Sequence, residues 1–175
     1  MNNPQSNLPT ELRSLKRWIP VRVEETKVPL VVGWQRPEAW RSFEDATQET
    51  GLAGFALCEA DRFFIIDIDG KALDASEREK LEERFRSWEK RLNTYCERSV
   101  SGLGWHIVGR YEGTFPLSEN RKFGNVEVYF KEGRCFIYDP NGSSGSLVSL
   151  SATFGVTDRK HLDNFWQQEI AYDSN

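Results

Sequence analysis

The sequence predicts an α/β or α+β domain with a mainly antiparallel sheet. Three observations predict it. Short apolar runs alternate in the manner of strands, amphipathic stretches lie between and after them, and turn residues stand close enough to join neighbouring strands by hairpins. A length of 175 residues, 38% hydrophobic and 29% charged, suits one globular domain over 1–175 with a core of its own.

The elements follow in order. A first helix is expected from about Pro9 to Lys16: proline suits a first turn, and Leu8, Leu12 and Leu15 recur at helical spacing. RWIPVRV reads as a strand, ETKVP as a turn and PLVVGW as a second extended piece. Ser42 followed by Asp45 has the spacing of a capping box opening a short helix to about Glu49. GFALCEA and RFFIIDIDG are apolar runs separated by a polar break, and a strand pair is expected of them. A long helix is predicted from about Ala75 to Asn93, with Leu81, Phe85, Trp88 and Leu92 forming one apolar stripe on a charged cylinder. The charges on its other face read as a solvated surface with i,i+4 pairs. WHIVGRY, NVEVYF and RCFIY alternate as strands, and Lys131-Glu132-Gly133 between the last two predicts a hairpin. GSSGS reads as a flexible connector. A last amphipathic helix is expected at about 158–170, with Leu162, Phe165, Trp166 and Ile170 inward.

Several function classes are disfavoured. No apolar run approaches the roughly 18 residues of a membrane span. The start, MNNPQSNLP, has no secretory pattern, so a cytoplasmic location is expected. Cys58, Cys96 and Cys135 are isolated, without the spacing of a disulfide framework or a zinc site, and read as small buried hydrophobes. The net charge of -4 counts against a tight non-specific nucleic-acid binder but is compatible with a local basic groove.

The chemistry gathers in three motifs. In Phe63 to Gly70, strand alternation sends Asp67 and Asp69 to one face and Phe64, Ile66 and Ile68 to the other. Two carboxylates on one face repel unless a cation lies between them, and hard oxygen donors favour Mg²⁺ or Mn²⁺. The plainer reading is a polar strand end running into a glycine turn. In VEVYF, Val126, Val128 and Phe130 form an apolar face with Glu127 and Tyr129 opposite. An acid central in such a strand needs exposure or a partner, and a third carboxylate beside Asp67 and Asp69 meets that need. Between them, Glu97-Arg98-Ser99-Val100-Ser101-Gly102-Leu103-Gly104-Trp105-His106 offers hydroxyls and backbone N–H groups to an anion, with His106 at the start of a strand. Taken singly it is a turn and a structural histidine. His161, on the last expected helix, is read as structural.

The order DID, SVSGLGWH, VEVYF with RCFIY resembles the three-motif signature of the archaeo-eukaryotic primase superfamily, nearest to its phage and plasmid branch of bifunctional primase-polymerases. The likeness includes LRSLKRWIPV, Lys27-Val28-Pro29, AWRSFEDA, GLAGFAL and TYCERSVSGLGWH, and spans about residues 8–142. It implies an RRM-like palm at about 51–142 packed with an N-terminal α/β unit. It implies that Asp67, Asp69 and Glu127 are the metal ligands for Mg²⁺ or Mn²⁺. It places His106, Ser99, Ser101, Gly102 and Gly104 by the incoming nucleotide, with Arg134 and Phe136 beside it. The activity implied is a nucleotidyltransferase that adds dNTPs or NTPs to a primer on a single-stranded DNA template. In such a site two metals lower the pKa of the 3′-hydroxyl and stabilise the leaving pyrophosphate. A bacterial or archaeal host, phage or plasmid coding, and a separate helicase or accessory helical domain as partner are implied likewise.

The chain departs from the pattern at Val100 and Leu103, where the family commonly has a proline and a basic residue. It departs again at Cys135 and at Ile137 to Gly142. Two other readings share these residues: a non-polymerising nucleotide- or DNA-binding replication-initiation module of the same fold, and a metal-dependent nuclease.

Overall fold

The computed structural model describes residues 8–24, 26–111, 114–115 and 117–138, together with the backbone of Val156–Thr157. The fold is α+β, with two sheets. The N-terminal part supplies α1 (Thr10–Arg13), β1 (Trp18–Val23), β2 (Lys27–Pro29), α2 (Phe43–Thr50) and β3 (Ala53–Ala56). The larger part supplies β4 (Phe63–Asp69), α3 (Ala75–Leu92), β5 (Tyr95–Arg98), β6 (Gly104–Tyr111), β7 (Arg121–Phe123) and β8 (Val126–Tyr129). β9 (Cys135–Tyr138) and β10 (Val156–Thr157) close the order. The smaller sheet runs β2-β1-β3-β9, and the larger runs β10-β6-β4-β8-β7 with β5 also paired to β6. Every pairing is antiparallel except the short β10–β6 contact.

α3 forms where the apolar stripe requires it. Asp74 caps it, accepting from the Glu77 amide while the Glu77 carboxylate accepts from the Asp74 amide, a reciprocal cap worth about 1 kcal/mol. Asn93, in the left-handed conformation, ends it. Leu81, Phe85, Trp88 and Leu92 are buried against Phe64, Ile66, Ile68, Ile107, Val126 and Val128, the outer face of the larger sheet. Truncating Trp88, wholly buried, to alanine costs about 3–5 kcal/mol. The other face of that sheet meets the smaller sheet, where Phe63, Ile65, Tyr95, Val108 and Tyr129 pack with Trp18, Phe55, Phe136 and the helical Leu12 and Phe43. β4 is thus covered on both faces at its start and opens toward its end.

Several elements differ from the expectations. α1 is a single turn with Pro9 as its cap, because the chain turns at Ser14 to enter β1. The second extended piece is Lys27–Pro29; residues 30–36 are turns, with Val32 in solvent and Gly33 at positive φ. β3 and β4 do not pair. A 3₁₀ turn over Glu59–Asp61, with Arg62 in the left-handed conformation, carries the chain from one sheet to the other. The expected hairpin is also absent. Gly133 takes positive φ as the turn requires, but β8 pairs with β4 and β7, and β9 pairs with β3. The physical reason lies in β9 itself. It is apolar on both sides, with Phe136 and Tyr138 in the inner core and Ile137 in the outer cluster of the smaller sheet. The expected final helix and His161 lie outside the described residues. Among the described residues, no helix is long and apolar enough to cross a membrane.

Candidate functional site

Strand registers place five polar residues in one row across the larger sheet. Glu97 on β5 opposes His106 on β6, His106 opposes Asp67 on β4, Asp67 opposes Glu127 on β8, and Glu127 opposes Lys122 on β7. Directly opposed residues of antiparallel strands share a face, with side chains about 5 Å apart at Cβ. That face is the one turned to the smaller sheet. Along β4 its residues are Phe63 and Ile65, buried, then Asp67, partly exposed, then Asp69, exposed. The apolar half anchors the sheets together and the acidic half stands open.

The buried end of the row is a hydrogen-bonded set. Tyr95 donates its phenol to Glu97 Oε2 at 2.6 Å, and His106 Nδ1 lies 2.8 Å from Glu97 Oε1. All three residues are buried. Glu97 is thereby the acceptor that fixes the ring and turns Nε2 toward Asp67, 3.7 Å away. Burial alone pulls the His106 imidazole down; the Glu97 hydrogen bond, then the charges of Asp67 and Glu97, outweigh it, and the net shift is upward. Burial pushes the Tyr95 phenol well up, and the Glu97 charge adds to it.

The open end carries the other acids. Glu127 Oε1 accepts from Lys122 Nζ at 2.7 Å, and Asp69 Oδ1 accepts from the Lys71 amide at 2.9 Å. The hydrogen bond to Glu127 and its charge raise the Lys122 pKa, with Asp69 and Asp67 adding to the effect. Among the described residues, no group of three or more His, Cys, Asp or Glu side chains is gathered closely enough to hold a metal ion as it stands. The donor chemistry nevertheless fits Mg²⁺ or Mn²⁺: the acids offer hard oxygens, and Asp67 and Glu127 share a row. Glu127 and Asp69 each spend one oxygen on these hydrogen bonds, which leaves Glu127 Oε2 and Asp69 Oδ2 as donors.

The Ser/Gly run is a tight turn beside the end of β4. The Ser99 amide donates to Gly104 O, the Gly102 amide to Ser99 O, and the Leu103 amide to Ser101 Oγ. Ser99 and Ser101 hydroxyls lie 3.1 Å apart. These three amides bond within the loop. A Cβ on Gly104 would stand 2.3 Å from Ile68 O, and one on Gly70 2.3 Å from Leu103 O; the glycines let the loop lie against β4.

Between the two sheets is a cleft of about 280 Å³. Asp67 and His106 line it from the larger sheet, and Lys27, Trp34, Arg134 and Phe136 from the other side. The Phe136 and His106 rings are 5.9 Å apart. Burial pushes the thiol of Cys135, which also lines it, up to about 12. Of the predicted site residues the fold therefore joins Asp67, His106, Arg134 and Phe136 in one cleft. Glu127 and Asp69 do not line it: Glu127 opposes Asp67 across β4 and β8, and Asp69, two residues on along β4, opposes Gly104. Ser99, Ser101, Gly102 and Gly104 form the separate turn.

No protein-family model matches the chain, and a search of curated proteins returned no match.

Sequence reasoning placed Glu97 at the head of the Ser/Gly run without a role and missed Lys122. The i,i+2 spacing of Tyr95 and Glu97, which puts both on one face of a strand, is the signal for the role of Glu97. Lys122 lies in a three-residue strand that leaves no periodic signal.

Proposed function

We propose that the protein is a metal-dependent DNA primase-polymerase domain of the archaeo-eukaryotic primase type, extending a primer with nucleoside triphosphates on a single-stranded template. The observation that carries this reading is the cross-strand row joining His106, Asp67 and Glu127. In support, the acid-bearing β4 is central in an antiparallel sheet backed by α3, the arrangement an RRM-like palm requires.

In this reading Asp67, Asp69 and Glu127 would hold Mg²⁺ or Mn²⁺ through their carboxylate oxygens. When bound, such a cation would supply Lewis acidity, lowering the pKa of the primer 3′-hydroxyl and stabilising the leaving pyrophosphate. The chain's own residues position and exclude. Glu97 and Tyr95 lock His106 through Nδ1, and the protonated ring would donate from Nε2 to a nucleotide oxygen entering beside Asp67. The aromatic wall of Trp34 and Phe136 keeps water from one side of the cleft. The reading carries with it a cytoplasmic location in a bacterial or archaeal host and a phage or plasmid source. The test is extension of a labelled primer with Mg²⁺ or Mn²⁺: wild type lengthens it, and Asp67→Ala does not.

One observation favours a second reading, the non-polymerising nucleotide- or DNA-binding module. Glu127 and Asp69 each accept a hydrogen bond, from Lys122 and from the Lys71 amide, and do not converge as they stand. That module binds triphosphate without extending a primer.

A further inference from the structure

The Ser/Gly turn carries no cation between Ser99 and Gly104, and three of its amides are spent internally. The positive charge that faces Asp67 across the cleft comes from the smaller-sheet side instead. Lys27 opens β2, and Pro29, two residues on and therefore on the same face of the strand, lines the cleft with it. Val28 points the other way. Arg134, just before β9, lines the same cleft with its guanidinium 5.1 Å from the centre of the Tyr129 ring. Lys27 is exposed, and its ammonium makes no hydrogen bond or ion pair among the described residues. The charges of both cations act on the Cys135 thiol, and that of Lys27 acts also on His106, so both bear on the interior of the cleft.

We propose that Lys27, with Arg134, is the polyphosphate-binding wall of the cleft, holding the phosphates of a nucleoside triphosphate opposite Asp67. This rests on the reading of the cleft as a nucleotide site and adds to it a residue from outside the three acidic and Ser/Gly motifs. Asp67 and Glu127 repel an approaching triphosphate, and two cations on the facing wall offset that repulsion where the Ser/Gly turn does not. Lys27 acts by binding, so it serves ground state and transition state alike.

The experiment is calorimetric titration of wild type, Lys27→Ala, Lys27→Arg and Lys16→Ala with dATP, inorganic tripolyphosphate and deoxyadenosine in Mg²⁺, alongside primer extension. Lys16 is an exposed lysine that does not line the cleft. Lys27→Ala is expected to weaken dATP and tripolyphosphate roughly tenfold, with deoxyadenosine unchanged. Lys27→Arg recovers most of the loss, and Lys16→Ala matches wild type. In extension, KM for dATP rises while kcat holds. Wild-type affinity for tripolyphosphate in Lys27→Ala, an equal loss in Lys16→Ala, or no triphosphate binding by wild type overturns the proposal. Triphosphate held through Lys27 by a protein that extends no primer sustains it and removes the polymerase reading. Extension unaffected by Lys27→Ala removes this inference alone.

Discussion

Asp67 on β4 and Glu127 on β8 face each other directly across an antiparallel pair, on the one face of the larger sheet that opens beside the cleft. Like charges so placed destabilise a sheet by a few tenths to about 1 kcal/mol. Lys122 and His106 flank them in the same row and offset that repulsion in the absence of metal.

Divalent cation should therefore stabilise this protein through those two acids. At Mn²⁺ a hundredfold above its dissociation constant the gain is about 2.7 kcal/mol. For a chain of this size that raises Tm by roughly 5–10 °C. Differential scanning fluorimetry should show the rise in wild type and its loss in Asp67→Asn/Glu127→Gln. An equal rise in that double variant would place the cation elsewhere.

Glu97 fixes His106, and its removal has a pH signature. The folded pKa of His106 lies above its ordinary value, so the interaction stabilises fully below about pH 6.5 and fades as pH rises through the folded pKa. Glu97→Gln should lose most stability at low pH and lower the His106 pKa. With two histidines in the chain, imidazole NMR resolves the shift readily. Glu97→Leu, which leaves His106 Nδ1 and the Tyr95 phenol without their acceptor, should cost about 3 kcal/mol.

Glu89 on α3 behaves in the opposite functional sense, as a liability. It is buried, Oε1 has no partner among the described residues, and Arg86 reaches Oε2 only at 3.4 Å. Burial raises its pKa, with Arg86 opposing. A carboxyl raised in the folded state stabilises below its unfolded pKa, about 4.3, and loses that contribution as pH rises through the folded value. Glu89→Gln should thus be more stable than wild type at pH 7 and equal to it at pH 4 by urea denaturation.

Gly104 holds the Ser/Gly turn against β4. Gly104→Ala drives a methyl into Ile68 O and should cost about 1–3 kcal/mol. Gly102→Ala meets no neighbour, but its φ of 73° strains any other residue, by about 1–2 kcal/mol. Chemical denaturation ranks the two, and an unaffected Gly104→Ala would show that the turn lies elsewhere.

The parts of this site legible in the sequence are those governed by local period. Alternation in FFIIDID put Asp67 and Asp69 on one face, and helical spacing put Leu81, Phe85, Trp88 and Leu92 on another element's buried stripe. What was not legible depends on register and on which sheet a strand joins. The turn at Gly133 has hairpin chemistry, yet the two-sided apolar character of β9 sends it to the smaller sheet. Glu97 stands at the head of the Ser/Gly run with no role until the β5–β6 register sets it opposite His106. Lys27, in a segment read as a turn and counted in the family likeness, has no role in the sequence until β2 brings it to the cleft.

The most direct measurement is extension of a labelled primer on a single-stranded template by wild type and Asp67→Ala/Asp69→Ala, with dNTPs and Mg²⁺ or Mn²⁺. The account predicts products that lengthen only with wild type and only with divalent cation. A folded wild type that leaves the primer unchanged, or shortens it, would contradict the account.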